Sequence, residues 1–111
     1  MDQRVKHVVG LMRNDLRQDL TLSEMARAVH VSPGHLCRLF KAETGGTPAS
    51  YLKRFRLQKA QELLEGTFLS VKEIMNTVGI KDESHFVRDF ERFSGLTPSR
   101  YRALNRSGAG E

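Results

Sequence analysis

The stretch from Thr47 to Glu65, TPASYLKRFRLQKAQELLE, decides how the rest of the chain is organised. Thr47 followed by Pro48 is a typical helix start, because the hydroxyl caps free backbone N–H groups and the proline has no N–H to satisfy. Gly66 comes directly after the stretch and is a typical helix stop. The pattern predicts a single helix from Thr47 to Glu65.

The segment before this helix recurs after it. At an offset of 50 residues, the second copy repeats seven residues of the first: His35, Arg38, Phe40, Gly45, Thr47, Pro48 and Tyr51. At an offset of 49, Thr21, Glu24 and Val29 correspond to Ser70, Glu73 and Val78. The second copy therefore carries one extra residue in the turn near Lys81, and the chain is an internal repeat joined by the helix.

Each copy predicts two short helices separated by a tight turn. Thr21–Glu24 and Ser70–Glu73 are capping boxes, in which a hydroxyl and a glutamate each satisfy a backbone N–H at a helix start. The second helices are predicted over about 33–44 and about 82–94, and each ends at a glycine. Helix, short turn and helix is the outline of a helix-turn-helix unit.

Apolar residues at helical spacing identify the helix sides that we expect to be buried. A first helix is predicted from Asp2 to about Arg17, with its apolar stripe at Val5, Val8, Val9, Met12 and Leu16. The stripe of the later helix of the second copy is predicted at Phe86, Phe90 and Phe93. A last helix is predicted from Pro98 to about Leu104. Because no stretch alternates apolar and polar residues, the predicted fold is all-α with about seven helices.

The apolar residues of the central helix fall into two groups on nearly opposite sides. The groups are Tyr51, Leu52 and Phe55 near its start, and Leu57, Ala60 and Leu64 further on. The helix is therefore predicted to hold one unit at each end. The predicted domains are 1–46, an N-terminal helix plus the first helix-turn-helix; 47–66, the connecting helix; 67–104, the second helix-turn-helix plus a final helix; and 105–111, a frayed tail.

Composition narrows the class of protein. The formal net charge of +5 favours a polyanionic partner, and nucleic acid before membrane. The single cysteine, Cys37, excludes an internal disulfide and a cysteine-based zinc cluster, and it fits a reducing cytoplasm. The N-terminus lacks the pattern of a secretion signal, and no apolar run approaches the length of a membrane span. We expect a cytoplasmic protein without a metal or other cofactor.

In a helix-turn-helix unit the second helix enters the major groove, and its outer face reads base edges, mostly from the N-terminal part. In the first copy that face carries Gly34, His35, Cys37, Arg38 and Lys41. Arg38 is the main candidate, because a guanidinium can hold guanine O6 and N7 together; the alternatives are a solvated arginine or a phosphate contact. Lys41 is expected to meet phosphate. Cys37 can touch a thymine methyl, although half-buried packing is the favoured interpretation.

The same face of the second copy carries Glu83, Ser84, His85, Val87 and Arg88. Four acidic residues make this helix locally acidic, which is unfavourable beside phosphates: Asp82, Glu83, Asp89 and Glu91. Glu83 can accept from cytosine N4, but the favoured interpretation is an exposed glutamate in the first turn, stabilised by the helix dipole. His35 and His85 occupy the same slot in both copies, where a phosphate contact or packing is expected rather than metal binding.

Further phosphate contacts are predicted from basic residues outside these reading positions. The central helix carries a basic run at Lys53, Arg54, Arg56 and Lys59, of which Arg54 and Arg56 are the candidates. Arg92 is the corresponding candidate in the second copy. A solvated surface is the default explanation of such a charge run.

These motifs resemble the DNA-binding domain of the AraC/XylS family of bacterial transcription regulators, over Val5 to Arg102. The first copy and connecting helix carry LSEMA at 22–26, SPGHLCRLFK at 32–41 and the R-L-x-x-A-x-x-L-L pattern at 56–64. The second copy carries EIMNTVGI at 73–80 and SHFVRDFERFSGLTPSRYR at 84–102. The resemblance implies two helix-turn-helix units that read two successive major-groove segments of double-stranded DNA.

The resemblance also implies which residues read bases. Carried over by position, the base-reading slots fall on Gly34, Cys37, Arg38, Ser84, His85 and Arg88. Gly34 and Cys37 replace larger or polar readers of the family, Met75 replaces a small alanine, and Ile80 replaces a phenylalanine. Relatives usually carry an N-terminal ligand-binding, dimerising or receiver domain, so we expect such a regulatory domain in the full-length protein. The expected role is that of an activator, with RNA polymerase as a further expected partner.

Two other functions remain open from the sequence. The acidic second reading helix also suits a protein-interaction or adaptor module that touches the transcription machinery and contacts DNA only secondarily. An enzyme is not expected, because Cys37 has His35 nearby in the sequence but no orienting third group.

Overall fold

The computed structural model describes residues 1–109, and the side chains of residues 1–105. This part of the chain forms seven α-helices and no strand, as predicted. They are α1, Gln3–Asn14; α2, Leu22–Ala28; α3, Pro33–Thr44; α4, Pro48–Gly66; α5, Val71–Val78; α6, Glu83–Ser94; and α7, Pro98–Ala109. The helices group into two units, Met1–Phe55 and Arg56–Glu111, so the boundary falls within α4. The three-part division with a separate connecting helix remains a prediction.

The predicted helix starts are confirmed. Thr21 and Ser70 each accept the N–H of the glutamate three residues later, at 3.1 Å, and complete the capping boxes of α2 and α5. Ser32 caps α3 and Asp82 caps α6 by the same kind of bond. At α4, Thr47 accepts from the backbone of Ser50 at 3.1 Å, and the serine hydroxyl accepts from Thr47 N–H at 3.0 Å. Hydroxyl and carboxylate caps therefore set where these helices begin.

The first helix is shorter than the prediction from Asp2 to about Arg17. Asp2 is its N-cap and accepts the N–H of Arg4 at 2.8 Å. The helix ends at Asn14, because the carboxylate of Asp15 accepts the N–H of Arg17 at 3.0 Å and holds the chain in a turn. Leu16 packs against the core from this turn rather than from the helix.

The core of the first unit is built by α1 to α4. Its buried residues are Val5, Val8, Met12, Met25, Ala26, Leu36, Phe40 and Leu52. Tyr51 and Phe55 of α4 pack at the edge of this cluster, as the predicted division of the central helix requires. The Phe40 and Tyr51 rings meet edge to face with centroids 5.7 Å apart. Burying a side chain such as Phe40 contributes about 1.5–3 kcal/mol to folding.

The core of the second unit is built by the later part of α4 with α5 to α7. Its buried residues are Leu57, Ala60, Leu64, Ile74, Met75, Val78, Phe86 and Phe90. Phe90 and Tyr101 repeat the ring contact of the first unit, with centroids 5.5 Å apart. Met75 lies fully inside this cluster and Ile80 packs against it, so both departures from the family pattern are accommodated by apolar packing.

The two cores extend the repeat beyond what sequence identity reveals. Val5, Val8 and Met12 of α1 correspond, at an offset of 52, to Leu57, Ala60 and Leu64 of α4. The later part of α4 therefore covers the second helix-turn-helix as α1 covers the first. None of these three buried pairs is identical, although Arg4 and Arg56, and Leu11 and Leu63, are identical at the same offset.

The end of α4 differs from the prediction. Gly66 is part of the helix and does not adopt the left-handed conformation found at Gly45, Gly79 and Gly95. The last turn is closed instead by the Thr67 hydroxyl, which donates to Leu63 O at 2.6 Å. The Arg102 guanidinium donates to Leu64 O at 3.1 Å and Leu69 O at 2.6 Å, and so caps the helix from α7.

Two predictions about α6 and α7 are also wrong in part. Phe93 is 36% exposed rather than buried, although its ring still lies 6.4 Å from Phe90. Phe93 follows Phe90 by three residues and Phe86 by seven, so it lies at the edge of the buried stripe.

The last helix continues past Leu104 to Ala109, because neither proline nor glycine interrupts residues 99–107. Residues 105–109 of the predicted tail are thus helical, and residues 110–111 lie outside the described part.

Candidate nucleic-acid interface

The outer face of α3 is fixed by the burial of its inner face. Leu36 and Phe40 are fully buried and Leu39 packs against the same core, so the opposite side of the helix faces away from the core. Gly34, Arg38 and Lys41 are exposed, whereas Cys37 and His35 are half-buried. The structure therefore places the predicted readers of the first unit on one exposed helix face, with Cys37 at its edge.

Arg38 and Gly34 are neighbours on this face. A Cβ atom built on Gly34 would lie 3.6 Å from the Arg38 Nη1 atom, so the guanidinium folds back over the glycine. This direction is normal for a long helical side chain, which points towards the helix N-terminus. The first turn of α3 carries no acidic residue. The guanidinium thus lies at the N-terminal end of the helix, where base edges are read.

The corresponding face of α6 has the same geometry but a different charge. Ser84, His85 and Arg88 are exposed, and the inner residues Phe86 and Phe90 are buried. The Asp82 carboxylate accepts the His85 N–H at 2.9 Å. This bond, with smaller contributions from the charges of His85 and Arg88, lowers the pKa of Asp82. Asp82 therefore stays ionised beside the reading face.

The two reading helices differ in net charge. Helix α3 carries Arg38 and Lys41 against Glu43, a net charge of +1 with histidine neutral. Helix α6 carries two arginines against three acidic residues, and its Asp82 cap brings the total to −2. The slot of Lys41 is occupied by Glu91 in the second copy. At these positions the charge of α3 favours a phosphate group and the charge of α6 disfavours one.

The predicted phosphate contacts are only partly exposed. Lys41, Arg54 and Arg92 are exposed, whereas His35 and Arg56 are half-buried. Arg54 lines a surface depression together with Thr44 and Gly45 at the end of α3, so it lies on the first unit. The structure therefore brings Arg54 to the same unit as Arg38 and Lys41.

Sequence reasoning missed two basic residues. Arg27 of α2 is exposed and lines a surface depression with Ser32 and Pro33 at the start of α3, which makes it a further phosphate candidate. The sequence feature that could have identified Arg27 is a basic residue in the last turn of α2, the first helix of the helix-turn-helix. Arg102 was not singled out either, and its guanidinium bonds to backbone carbonyls of its own unit.

Charge is distributed unequally between the units. Residues 1–55 contain nine lysines and arginines and five acidic residues, a net charge of +4. Residues 56–111 contain nine lysines and arginines and eight acidic residues, a net charge of +1. The first unit therefore carries most of the positive charge. Among the described helices, none combines the length and the apolar character that crossing a membrane requires.

Comparisons with known proteins agree with this geometry. The family described as "Helix-turn-helix domain" matches residues 25–104. The chain is similar to the DNA-binding domain of AdpA, a global transcriptional factor solved in complex with a target DNA. That similarity has a TM-score of 0.89 and 27% identity, and it covers 97% of each chain.

Two further relatives support the same family. The C-terminal domain of AraT, a response regulator from Geobacillus stearothermophilus, is 33% identical with a TM-score of 0.86, over 93% of this chain and 86% of that one. The lactose operon transcription activator of Staphylococcus xylosus is 28% identical over 92% of this chain and 37% of its own length. The chain spans between 13% and 37% of the length of curated relatives that it matches. It belongs to the AraC-type helix-turn-helix family of bacterial transcription regulators, in the DNA-binding part of these proteins.

Proposed function

We propose that this chain is the sequence-reading part of a bacterial transcription regulator, with α3 and α6 in two successive major-groove segments of duplex DNA. The observation that carries the proposal is the exposed face of α3, where Gly34, Arg38 and Lys41 lie opposite a fully buried stripe. Helix α6 is also buried on one side and exposed on the other, which supports a second base-reading helix. The similarity to a domain solved on its target DNA supports the same mode of binding.

The residue roles follow from exposure and chemistry. The proposed base-reading faces are formed by Gly34, Cys37 and Arg38 in the first unit and by Ser84, His85 and Arg88 in the second; Gly34 has no side chain with which to contact a base directly. The proposed phosphate contacts are His35, Lys41, Arg54, Arg56 and Arg92, with Arg27 added from the structure. Arg38 has the strongest chemical case, because a guanidinium matches the O6 and N7 acceptors of guanine.

The first unit is proposed to supply most of the attraction to DNA. Its net charge of +4, and the absence of an acidic residue in the first turn of α3, both favour contact with phosphates. The second unit then adds fewer electrostatic contacts, because Asp82, Glu83 and Glu91 lie on or beside its reading helix.

The wider setting is proposed from the relatives. The curated relatives are much longer than this chain, and their names include operon activators. We infer a regulator of the bacterial cytoplasm that works with an N-terminal regulatory domain, activates transcription through contact with RNA polymerase, and has no catalytic step of its own.

The salt dependence of DNA binding tests the proposal. If roughly six phosphates are contacted, affinity for a duplex selected from random DNA should fall by about three decades between 50 and 200 mM salt. Fluorescence anisotropy with the selected duplex gives the slope directly. The recovered sequence also shows whether one or two half-sites are read.

The acidic face of α6 favours one second candidate, an adaptor that binds a protein of the transcription machinery and touches DNA only secondarily. A nearly flat salt response, or a selection that recovers no common sequence, would favour the adaptor over the DNA reader.

A further inference from the structure

The first turn of α3 contains an exposed glycine at a place where most helices carry a side chain. Gly34 costs helix stability, because glycine is less favourable than alanine by about 1 kcal/mol in a helix interior. Its φ angle is not positive, so the backbone conformation does not require glycine. A Cβ atom at this position would meet one group outside the local backbone, Nη1 of Arg38, at 3.6 Å.

This contact lies at the N-terminal end of α3, which is the end proposed to read base edges. The Cα atom of Arg38 lies one turn further along α3, about 5.4 Å along the helix axis. Its side chain turns back towards the N-terminus, and the guanidinium occupies the space above Gly34. Because Gly34 has no side chain, the guanidinium reaches the N-terminal turn of the helix.

We propose that Gly34 determines DNA sequence specificity through Arg38, by leaving open the space in which the guanidinium lies when it reads a guanine edge. Gly34 makes no base-specific contact of its own and is a positioning residue. The inference rests on the proposed function and deepens it. A side chain that fills the space above residue 34 moves the guanidinium away, although both residues remain on the same helix face.

The second unit provides an internal comparison. Ser84 replaces Gly34 and Arg88 corresponds to Arg38, so the space is partly filled there. An acidic cap, Asp82, also lies near Arg88 and interacts with its charge. In the first unit the cap is the neutral Ser32, and the first turn has no acidic residue. The open space and the absence of a competing carboxylate therefore occur together at Arg38.

The test measures discrimination at single base pairs. Binding constants are determined for the selected duplex and for duplexes that carry each base change in the first half-site. The variants are Gly34→Ala, Gly34→Leu, Arg38→Ala and the double variant Gly34→Leu with Arg38→Ala. Gly34→Ala should lose much less discrimination than Gly34→Leu, because its Cβ would make only an ordinary van der Waals contact of 3.6 Å with the guanidinium. Gly34→Leu should lose about tenfold discrimination at the base pair that Arg38 reads.

The double variant separates positioning from direct reading. If Gly34 acts through Arg38, Gly34→Leu causes no further loss of discrimination once Arg38 is alanine. An equal loss in both backgrounds, or full discrimination by Gly34→Leu, overturns the inference. Gly10→Leu is the matched control, because Gly10 is an exposed helical glycine with nothing within 4 Å of its Cβ position. Circular dichroism melting of every variant identifies a failure to fold; if Gly34→Leu does not fold, Gly34→Met, whose side chain also fills the space, completes the cycle with Arg38→Ala.

The remaining outcomes separate the inference from the proposed function. If Arg38→Ala weakens all sequences equally, Arg38 is a phosphate contact and the inference is wrong, while sequence-specific binding by the original protein still supports the proposed function. If the original protein binds no duplex DNA, both are wrong.

Discussion

The guanidinium of Arg102 bonds to the backbone carbonyls of Leu64, Thr67 and Leu69, at the end of α4 and in the loop that follows. A charged donor is a strong partner for such carbonyls: a hydrogen bond to a charged group is worth about 1.5–3 kcal/mol, and the contributions of bonds made by one guanidinium do not simply add. The corresponding position in the first unit is Leu52, which is buried in the core. The same slot of the repeat therefore serves packing in one unit and helix capping in the other.

Replacement of Arg102 by methionine should destabilise the second unit by about 2 kcal/mol, because the last carbonyls of α4 lose their charged donor. Urea denaturation measures the free energy of unfolding. Arg100→Met is the matched control, since Arg100 is an exposed arginine of the same helix. The salt slope of DNA binding should not change for Arg102→Met, because its guanidinium is engaged with carbonyls of its own unit. Unchanged stability together with a shallower slope would show that Arg102 contacts phosphate instead.

At the scale of the helix, α4 carries the packing of two cores in one continuous element. Leu52 belongs to the first core and Leu64 to the second, and the boundary between the units lies between Phe55 and Arg56. Its apolar residues change side along its length, so no single face of the helix is apolar throughout. The two halves of the helix are therefore expected to respond separately to core substitutions.

Leu64→Ala should destabilise the second unit, and Leu52→Ala the first, by about 3 kcal/mol in each case, because each leaves a cavity in a close-packed core. Hydrogen exchange of the amides in α2 and α3, compared with those in α5 and α6, reports the two units separately. Equal loss of protection in both units for either variant would show that α4 couples them into one cooperative body.

The start of α1 depends on an ionised cap. The bond from the Arg4 side chain, with the backbone N–H of Arg4, lowers the pKa of Asp2 from 3.8 to about 2. A lowered pKa in the folded state means that the unfolded chain takes up the proton first, so the stabilisation is present above about pH 4 and is lost as the pH falls towards 2. Asp2→Asn should therefore reduce the slope of stability against pH between 4 and 2. Identical slopes for both proteins in urea denaturation would exclude this role.

For the whole molecule, the uneven distribution of charge means that the two proposed reading helices differ in their attraction to DNA phosphates. Helix α3 and its cap carry a net charge of +1, and α6 with its cap carries −2. Ions in solution screen such charges over about 10 Å at 0.1 M salt, so the residues on each reading helix have the largest effect on contacts there. The second unit is expected to be the weaker contact on any sequence.

Glu91→Lys should strengthen DNA binding severalfold and steepen the salt slope by about 0.9, because it places at α6 the lysine that α3 has at Lys41. Glu62→Lys makes the same change of charge on an exposed side chain of α4, outside the reading helix. Equal effects of the two substitutions would mean that only the net charge matters. No effect of Glu91→Lys would mean that the second unit does not approach the phosphates.

Much of the fold follows from local chemistry and could therefore be predicted. The capping boxes at Thr21 and Ser70, and the left-handed glycines at Gly45 and Gly95, depend on bonds between residues within four positions of each other. The candidate readers of α3 and α6 were predictable as well, because a buried stripe determines the opposite face of the same helix. The end of α1 was mispredicted, since the apolar spacing continues to Leu16 although the Asp15 side chain turns the chain.

The sequence by itself determined the number of helices, most of their starts, the repeat and the residues that can face DNA, because these depend on short-range bonds and on periodicity. Only the tertiary structure decided that Arg102 caps α4, since its acceptors lie 33 to 39 residues away in the chain. The structure also showed that α1 and the later part of α4 are equivalent, because the buried residues of the two helices share their spacing and not their identity. The nearness of Arg38 to Gly34 likewise depends on the direction of a side chain, which spacing suggests and the structure shows.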